Sequence, residues 1–154
     1  MNTTTLASPT TFQATWTPRV LGALRIVTGY LFIAHGTAKL FGAPHVAMFD
    51  GVQLLSLMGV AGVLELVGGA ALILGLFTRP VAFVLSGFMA VAYFMAHASQ
   101  GNAILPLLNG GELAVLYSFL FLFFSVNGGG AFALDNRIRN DRSGLSVNAA
   151  VATR

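Results

Sequence analysis

Ionisable side chains that interrupt long apolar stretches are the residues of this 154-residue sequence whose types and spacing suit chemistry. A charged side chain near the centre of a bilayer costs at least about 2.5–3.5 kcal/mol, so it needs a partner or a water-filled cavity. In such a dry setting, histidine, lysine and glutamate can hydrogen-bond a ligand carbonyl and exchange protons with it. The candidates are Arg25, His35, Lys39, Glu65, Tyr93, His97, Glu112 and Tyr117.

Glu65 is the most informative candidate because apolar side chains flank it on both sides. A carboxyl group in that setting must be protonated, or it must be paired with a cation. We predict a structural ion pair between Glu65 and Arg25, and a histidine is the other available partner.

Simpler explanations stay open for the other candidates. Lys39 can extend its ammonium group to the membrane surface. His35 precedes Gly36 and can hydrogen-bond a carbonyl across a close helix contact. Glu112 follows two glycines and is also favourable as the first acid of a helix. Packing alone explains Tyr117.

The composition excludes several classes of protein. Hydrophobic residues make up 56% of the chain and charged residues 8%, and the mean hydropathy is +0.80. A soluble domain carries about 25% charged residues, so an ordinary cytosolic enzyme and a disordered protein are both excluded. The eight basic residues are too few and too scattered for a nucleic-acid surface. The chain has no cysteine, which excludes disulfides and cysteine-bound metal.

Four apolar stretches have the length of membrane-spanning helices, which is about 20 residues. They lie at about 19–41, 54–77, 80–98 and 111–126. The sequence therefore predicts an all-α, four-helix transmembrane bundle, in which the short turn Thr78–Arg79 makes the second and third helices antiparallel neighbours. We expect a mobile N-terminal tail (1–18), a membrane domain (19–134) and a polar C-terminal tail (135–154).

Basic and small residues indicate how the helices are arranged. The basic residues outside the spans fall mostly on one side, and only Lys39 marks the other, so the positive-inside rule predicts that both termini are cytoplasmic. The side rich in arginine carries Arg19, Arg79, Arg137, Arg139, Arg142 and Arg154.

Glycine stripes on the first two helices predict close contacts between helices. They are Gly22, Gly29 and Gly36, and Gly62, Gly69 and Gly75.

Depth along the helices predicts that six polar residues share one pocket. Counted from Arg19 and Arg79, His35 and His97 lie about 24 and 27 Å up their helices, near the outer leaflet. We predict a ligand-binding pocket that opens outward, without a metal-ligand set or an identified catalytic residue. Its members are His35, Lys39, Glu65, Tyr93, His97 and Glu112.

Several segments resemble the DoxX family of small bacterial membrane proteins, in order from about Arg19 to Arg137. They are Arg25–Gly29, the His-Gly-x-x-Lys-Leu element of His35–Gly42, Leu64–Gly69, Leu74–Arg79, the region of His97, the Asn-Gly-Gly-Glu element of Asn109–Leu113, and Gly128–Asp135. The resemblance implies a four-helix, multi-pass fold in the bacterial cytoplasmic (inner) membrane. It also implies an association with membrane redox complexes, because related subunits belong to thiosulfate:quinone oxidoreductases.

The sequence and the resemblance together predict an integral membrane subunit of a redox system. It would handle quinone or a similar small apolar ligand, with electrons supplied by a soluble or membrane partner protein. Whether the chain is itself catalytic, and whether it forms an oligomer, is left open. The alternative is a non-catalytic membrane scaffold or a small-molecule permease. A third hypothesis is a haem held between His35 and His97, since their depths match.

Overall fold

The structure, a computed structural model, describes residues 10–140, and the predictions for residues 1–9 and 141–154 lie outside that range. The described part is helical and contains no strand. Its helices are α1 (Thr11–Phe41), α2 (Leu57–Leu74), α3 (Thr78–Ala92), the short α4 (Pro106–Asn109) and α5 (Glu112–Asn127). Tighter or wider turns occur at Ala47–Phe49 (3₁₀), Tyr93–His97 (π) and Ala98–Gln100 (3₁₀), and residues 134–140 are again helical.

Helix α1 begins at Thr11, earlier than the start near Arg19 that hydropathy predicts. The cause is a capping box, in which the Thr10 hydroxyl accepts from the Gln13 backbone and the Gln13 side chain accepts from the Thr10 backbone. These two bonds satisfy backbone N–H groups that the first turn would otherwise leave free. The predicted N-terminal tail is therefore helical from Thr11 onward.

Glycines bring α1 and α2 into direct backbone contact. A Cβ atom added to Gly29 would lie 2.7 Å from the carbonyl oxygen of Gly69, and one added to Gly36 would lie 2.8 Å from that of Gly62. Only glycine fits at such distances, so the predicted close contacts between helices are confirmed at these four glycines. These contacts also fix an antiparallel register with Gly29 opposite Gly69 and Gly36 opposite Gly62. Gly22 and Gly75 instead lie against Ala131 and Ala133 of the segment after α5.

Helices α3 and α5 form the second closely packed pair. The Ser86 hydroxyl donates to the Ser118 carbonyl (2.8 Å), and the Ser118 hydroxyl donates to the Ser86 carbonyl (3.1 Å). The two pairs meet in an aromatic core, where the ring of Phe32 from α1 lies 5.5 Å from Tyr117 and 4.9 Å from Phe121. Tyr117 thus has the packing role that its sequence context suggests.

The ends of the bundle differ in charge. The end where α2 ends and α3 begins carries Arg19, Arg79 and Arg137, and we call it the arginine end. The opposite end, where α1 ends and α5 begins, carries Lys39, and we call it the lysine end. The Ala131 N–H donates to the Pro18 carbonyl (2.7 Å), which holds the segment after α5 against α1 at the arginine end.

Asp135 joins the segment after α5 to the turn between α2 and α3. Helix α3 has no capping side chain of its own. The Asp135 carboxylate instead accepts from the backbone N–H groups of Phe77 (2.7 Å) and Thr78 (2.8 Å). The Asp135 N–H donates to the Gly75 carbonyl (3.0 Å). The predicted polar tail therefore begins with a residue that is part of the packed structure.

The helices have the length and surface of membrane spans. Within residues 10–140, α1, α2 and the helical stretch Thr78–Gln100 are each long and apolar enough to cross a bilayer, and α5 is a shorter apolar helix. Large hydrophobic side chains are exposed along them, among them Val67 (62%), Phe83 (67%) and Phe119 (67%). Such surfaces are stable only in contact with lipid or with another apolar surface.

Candidate functional site

Lys39 and Glu65 form an ion pair between α1 and α2, near the lysine end. The Lys39 Nζ atom lies 2.5 Å from the Glu65 Oε1 atom, and the two side chains are 10% and 6% exposed. The pair sits beside the contact between Gly36 and Gly62, and a Cβ atom added to Gly62 would lie 3.1 Å from the Lys39 Cβ atom. The lysine ammonium also lies 5.2 Å from the centre of the Phe49 ring, which belongs to the α1–α2 loop.

The second oxygen of the Glu65 carboxylate has no hydrogen-bond partner, although it is buried. A buried oxygen without a partner costs about 1–3 kcal/mol or more, so it marks a place where a donor group is favoured. Glu65 is only 4% exposed, so its carboxylate is shielded from the lipid-facing surface.

His35 lies one turn before Lys39 on α1 and is half-buried. The i, i+4 spacing places the His35 and Lys39 side chains on the same face of the helix. His35, Lys39 and Glu65 together form the group that we call the ion-pair site. It contains a cationic donor and a carboxylate acceptor in an apolar setting, and these are the groups needed to bind a polar atom and to move a proton.

Glu65 pairs with Lys39 and not with Arg25, which corrects the predicted ion pair. In a helix each side chain leans toward the N-terminus. Because α1 and α2 are antiparallel, Lys39 and Glu65 lean toward one another, whereas Arg25 leans away from Glu65 toward the arginine end.

The fully buried Arg25 guanidinium instead hydrogen-bonds backbone carbonyls. It donates to Ile73 (2.7 Å), Leu72, Gly129 (2.8 Å) and Ala131 (3.4 Å). Two of these carbonyls belong to the last turns of α2, and two belong to the segment after α5. Arg25 therefore fastens these two parts of the chain together.

Tyr93 and His97 belong to a second polar network, which is built around Asn109. The Asn109 amide donates to the Tyr93 hydroxyl (3.2 Å), and that hydroxyl donates to the Ala103 carbonyl (2.7 Å). The His97 Nδ1 atom lies 3.1 Å from the Asn109 carbonyl oxygen. A carbonyl only accepts, so Nδ1 carries the proton and Nε2 is left as an acceptor in the neutral ring.

The helix widens to a π turn at Tyr93–His97, where this network begins. Such turns occur frequently at functional sites. The sequence analysis did not identify Asn109 as a partner of Tyr93 and His97. The signal that could have identified it is its position directly before Gly110 and Gly111, because the Asn109 side chain accepts from the Gly111 N–H (2.9 Å) and turns the chain into α5.

The structure places Glu112 on the surface, in the first turn of α5. The simpler explanation given above, an acid that is favourable at the start of a helix, accounts for this position. The six predicted pocket residues thus lie at the lysine end in three places: the ion-pair site, the Asn109 network and the exposed Glu112. Within residues 10–140, no hydrogen bond joins these places, and no group of three or more potential ligands could hold a metal ion.

These features define a multi-pass integral membrane protein with a buried ion pair between its first two helices. A sequence model of the DoxX family matches residues 20–98, which is just over half of the chain. The chain belongs to the DoxX family. The match and the relatives described next, with the three apolar spans, identify it as a multi-pass protein of the inner membrane.

The relatives cover most of the chain. An uncharacterized protein of Haemophilus influenzae is 54% identical over 123 residues, covering 78% of this chain and 91% of its own length. The inner membrane protein YqjF of Escherichia coli is 30% identical over 119 residues, covering 72% of this chain and 85% of its own length. No solved structure matches.

Proposed function

We propose that this protein is an integral membrane subunit of a redox system, and that the ion-pair site binds a quinone or a similar small apolar ligand. The observation that carries the proposal is the buried Lys39–Glu65 pair, whose carboxylate keeps one oxygen without a partner. Charged groups inside a membrane protein are rare and mark sites of ligand or proton handling. Membership of the DoxX family also supports the proposal.

Each residue of the site has a role in this proposal. Reduction of a quinone to a quinol adds two electrons and two protons, and a partner protein supplies the electrons. The Lys39 ammonium donates a hydrogen bond to one ligand carbonyl and favours the negative charge that develops there. The free oxygen of Glu65 accepts from the ligand hydroxyl and passes protons, and His35, one turn before Lys39, is a second group that can exchange protons.

The proposal includes four membrane spans with both termini in the cytoplasm. Helix α5 is the fourth span, and its 16 residues cover about 24 Å. Basic residues from distant parts of the chain support this orientation, because the fold collects Arg19, Arg79 and Arg137 at one end. The ion-pair site then lies toward the outer side of the membrane.

Binding of a short-chain ubiquinone analogue, decylubiquinone, tests the proposed site. The protein is purified in nanodiscs, and equilibrium binding is measured for the wild type and for the double variant Lys39→Met, Glu65→Gln. The double variant removes both charges, so it leaves no buried charge without a partner. Loss of a charge-assisted hydrogen bond is worth about 1.5–3 kcal/mol, so we expect at least tenfold weaker binding.

Glu112→Gln is the matched comparison because it makes the same change on an exposed acid. We expect wild-type affinity for Glu112→Gln and weaker binding for His35→Ala. Failure of the wild type to bind decylubiquinone, or equal affinity of the double variant, would contradict the proposal. An equal loss in Glu112→Gln would favour the single large pocket that depth alone predicts.

A membrane scaffold or a small-molecule permease is the second candidate. The observation in its favour is that the Arg25 guanidinium and the Tyr93 hydroxyl donate to backbone carbonyls, as the side chains of structural residues do. Purification in mild detergent separates the candidates, because a redox subunit should retain a redox partner protein and a scaffold need not. The haem hypothesis for His35 and His97 is tested by the visible absorption spectrum of the same preparation.

A further inference from the structure

A groove at the arginine end is lined by the last turn of α2 and by the segment that follows α5. Its volume is about 490 Å³. Ile73, Leu74 and Phe132 form its apolar wall, and Asn136 and Arg137 lie at its polar side. Such a combination suits a ligand with a charged head and an apolar chain.

We propose that this groove binds one anionic phospholipid, with the lipid phosphate on the Arg137 guanidinium and an acyl chain along Leu74 and Phe132. The source of the phosphate is a membrane lipid and not a free metabolite. The proposal rests on the orientation given under the proposed function, in which the arginine end faces the cytoplasmic leaflet. It does not depend on quinone binding, because the ion-pair site lies at the opposite end.

Arg137 is the cation available to the lipid phosphate. Its side chain is exposed, and no ion pair within residues 10–140 involves it. The nearby acid Asp135 forms no ion pair with Arg137, and both oxygens of its carboxylate accept from backbone N–H groups at the start of α3. Guanidinium groups match the geometry of a phosphate and bind it through two parallel hydrogen bonds.

The apolar wall of the groove is matched to an acyl chain. Phe132 is 78% exposed and Leu74 is 52% exposed, so both present apolar surface beside the arginine. Phe132 also has a φ of 62°, a left-handed conformation that is unfavourable for a bulky residue. Backbone strain of this kind persists where it places a side chain for a function. A free phosphate ion would leave both side chains uncovered, which favours a lipid.

The two walls of the groove are held at a fixed distance by the buried Arg25. Its guanidinium donates to the carbonyl of Ile73 on one wall and to that of Leu72 behind it. It also donates to the carbonyls of Gly129 and Ala131 next to the other wall. Binding to walls that are already fixed loses little conformational entropy. The groove is therefore organised before a lipid enters.

Native mass spectrometry of the detergent-purified protein tests the proposal. The protein is titrated with phosphatidylglycerol and with phosphatidylcholine that carries the same acyl chains. We expect one tightly bound phosphatidylglycerol, at least fivefold preferred over phosphatidylcholine, as for one arginine at an anionic surface. Arg137→Gln should abolish the preference. Arg19→Gln removes the same charge at the same end but outside the groove, so it should keep the preference.

A second variant tests the apolar wall without endangering the fold. Phe132→Gly removes the ring and relieves the positive φ, so it should weaken phosphatidylglycerol binding at least threefold without lowering thermal stability. Three results would overturn the proposal. They are the absence of a lipid preference in the wild type, an equal loss in Arg19→Gln and Arg137→Gln, and displacement of the lipid by millimolar glycerol 3-phosphate. Failure of decylubiquinone binding would leave these results unaffected.

Discussion

Replacing Glu65 with glutamine while Lys39 stays in place should destabilise the helix bundle by about 3 kcal/mol. The Lys39 side chain is only 10% exposed, and its carboxylate partner lies at 2.5 Å. Glutamine keeps the shape of the glutamate but leaves a nearly buried cation without a counter-charge. The expected loss of stability therefore comes from the stranded ammonium group and not from lost packing.

The magnitude follows from the position of the pair. Removing one partner of a buried ion pair costs about 3–5 kcal/mol. The lower end of that range applies, because Lys39 is in the last turn of α1 and can partly extend its ammonium toward the membrane surface. The Phe49 ring, 5.2 Å from the ammonium, adds a cation–π interaction that survives the change.

The double variant Lys39→Met, Glu65→Gln separates charge from shape. It removes both charges, so we expect its stability to return to within about 1 kcal/mol of the wild type, which is about 2 kcal/mol above that of Glu65→Gln. The assay is reversible unfolding in mixed micelles titrated with sodium dodecyl sulfate and followed by far-ultraviolet circular dichroism. Glu112→Gln, on the exposed acid, should change stability by less than about 0.5 kcal/mol.

The reasoning is refuted if Glu65→Gln and the double variant unfold at the same free energy as each other and as the wild type. That result would mean that Lys39 does not depend on Glu65 for its charge compensation. The ion-pair site would then be a surface contact, and the proposed ligand site would lose its main support.

Three further predictions concern packing and orientation. Gly29→Ala places a methyl group 2.7 Å from the Gly69 carbonyl and should cost about 1–3 kcal/mol in the same unfolding assay, whereas Gly87→Ala meets open space and should be neutral or slightly stabilising. Asp135→Ala removes the cap of α3 and should cost about 1–2 kcal/mol in that assay, with faster hydrogen exchange at the Phe77 amide; unchanged exchange would count against the capping role. A reporter fused to the C-terminus should be active only if it works in the cytoplasm, and activity of a periplasmic reporter alone would contradict the orientation.

Local features of the sequence determined that the chain is a helical membrane protein. Apolar stretches of sufficient length, low charge and glycines at regular spacing are properties that short segments carry by themselves. The predicted starts and ends of the helices were close for α2 and α5, and close helix contacts at the glycines were predicted correctly. The start of α1 was missed, because a capping box at Thr10 outweighed the polar composition that follows it.

The tertiary structure decided which of the polar residues meet. The register in which Gly36 lies opposite Gly62 places Lys39 within reach of Glu65. Arg25 lies about 21 Å nearer the start of α1 and reaches the end of α2 instead. The distance of a residue along its helix gives its depth in the membrane, but it does not give the side of the helix on which the residue lies. For that reason the sequence placed in one pocket residues that the structure divides between separate networks.

The role of Asp135 shows the same limit at longer range. Nothing near it in the sequence indicates a cap, because the N–H groups that it accepts from belong to a turn 57 and 58 residues earlier in the chain. Hydropathy and residue spacing are properties of short, continuous segments. The sequence by itself therefore determined the helices and their location in a membrane. Contacts between distant segments depend on how the helices pack. They alone decided which residues form the ion pair, which carbonyls Arg25 binds, and where the groove beside Arg137 lies.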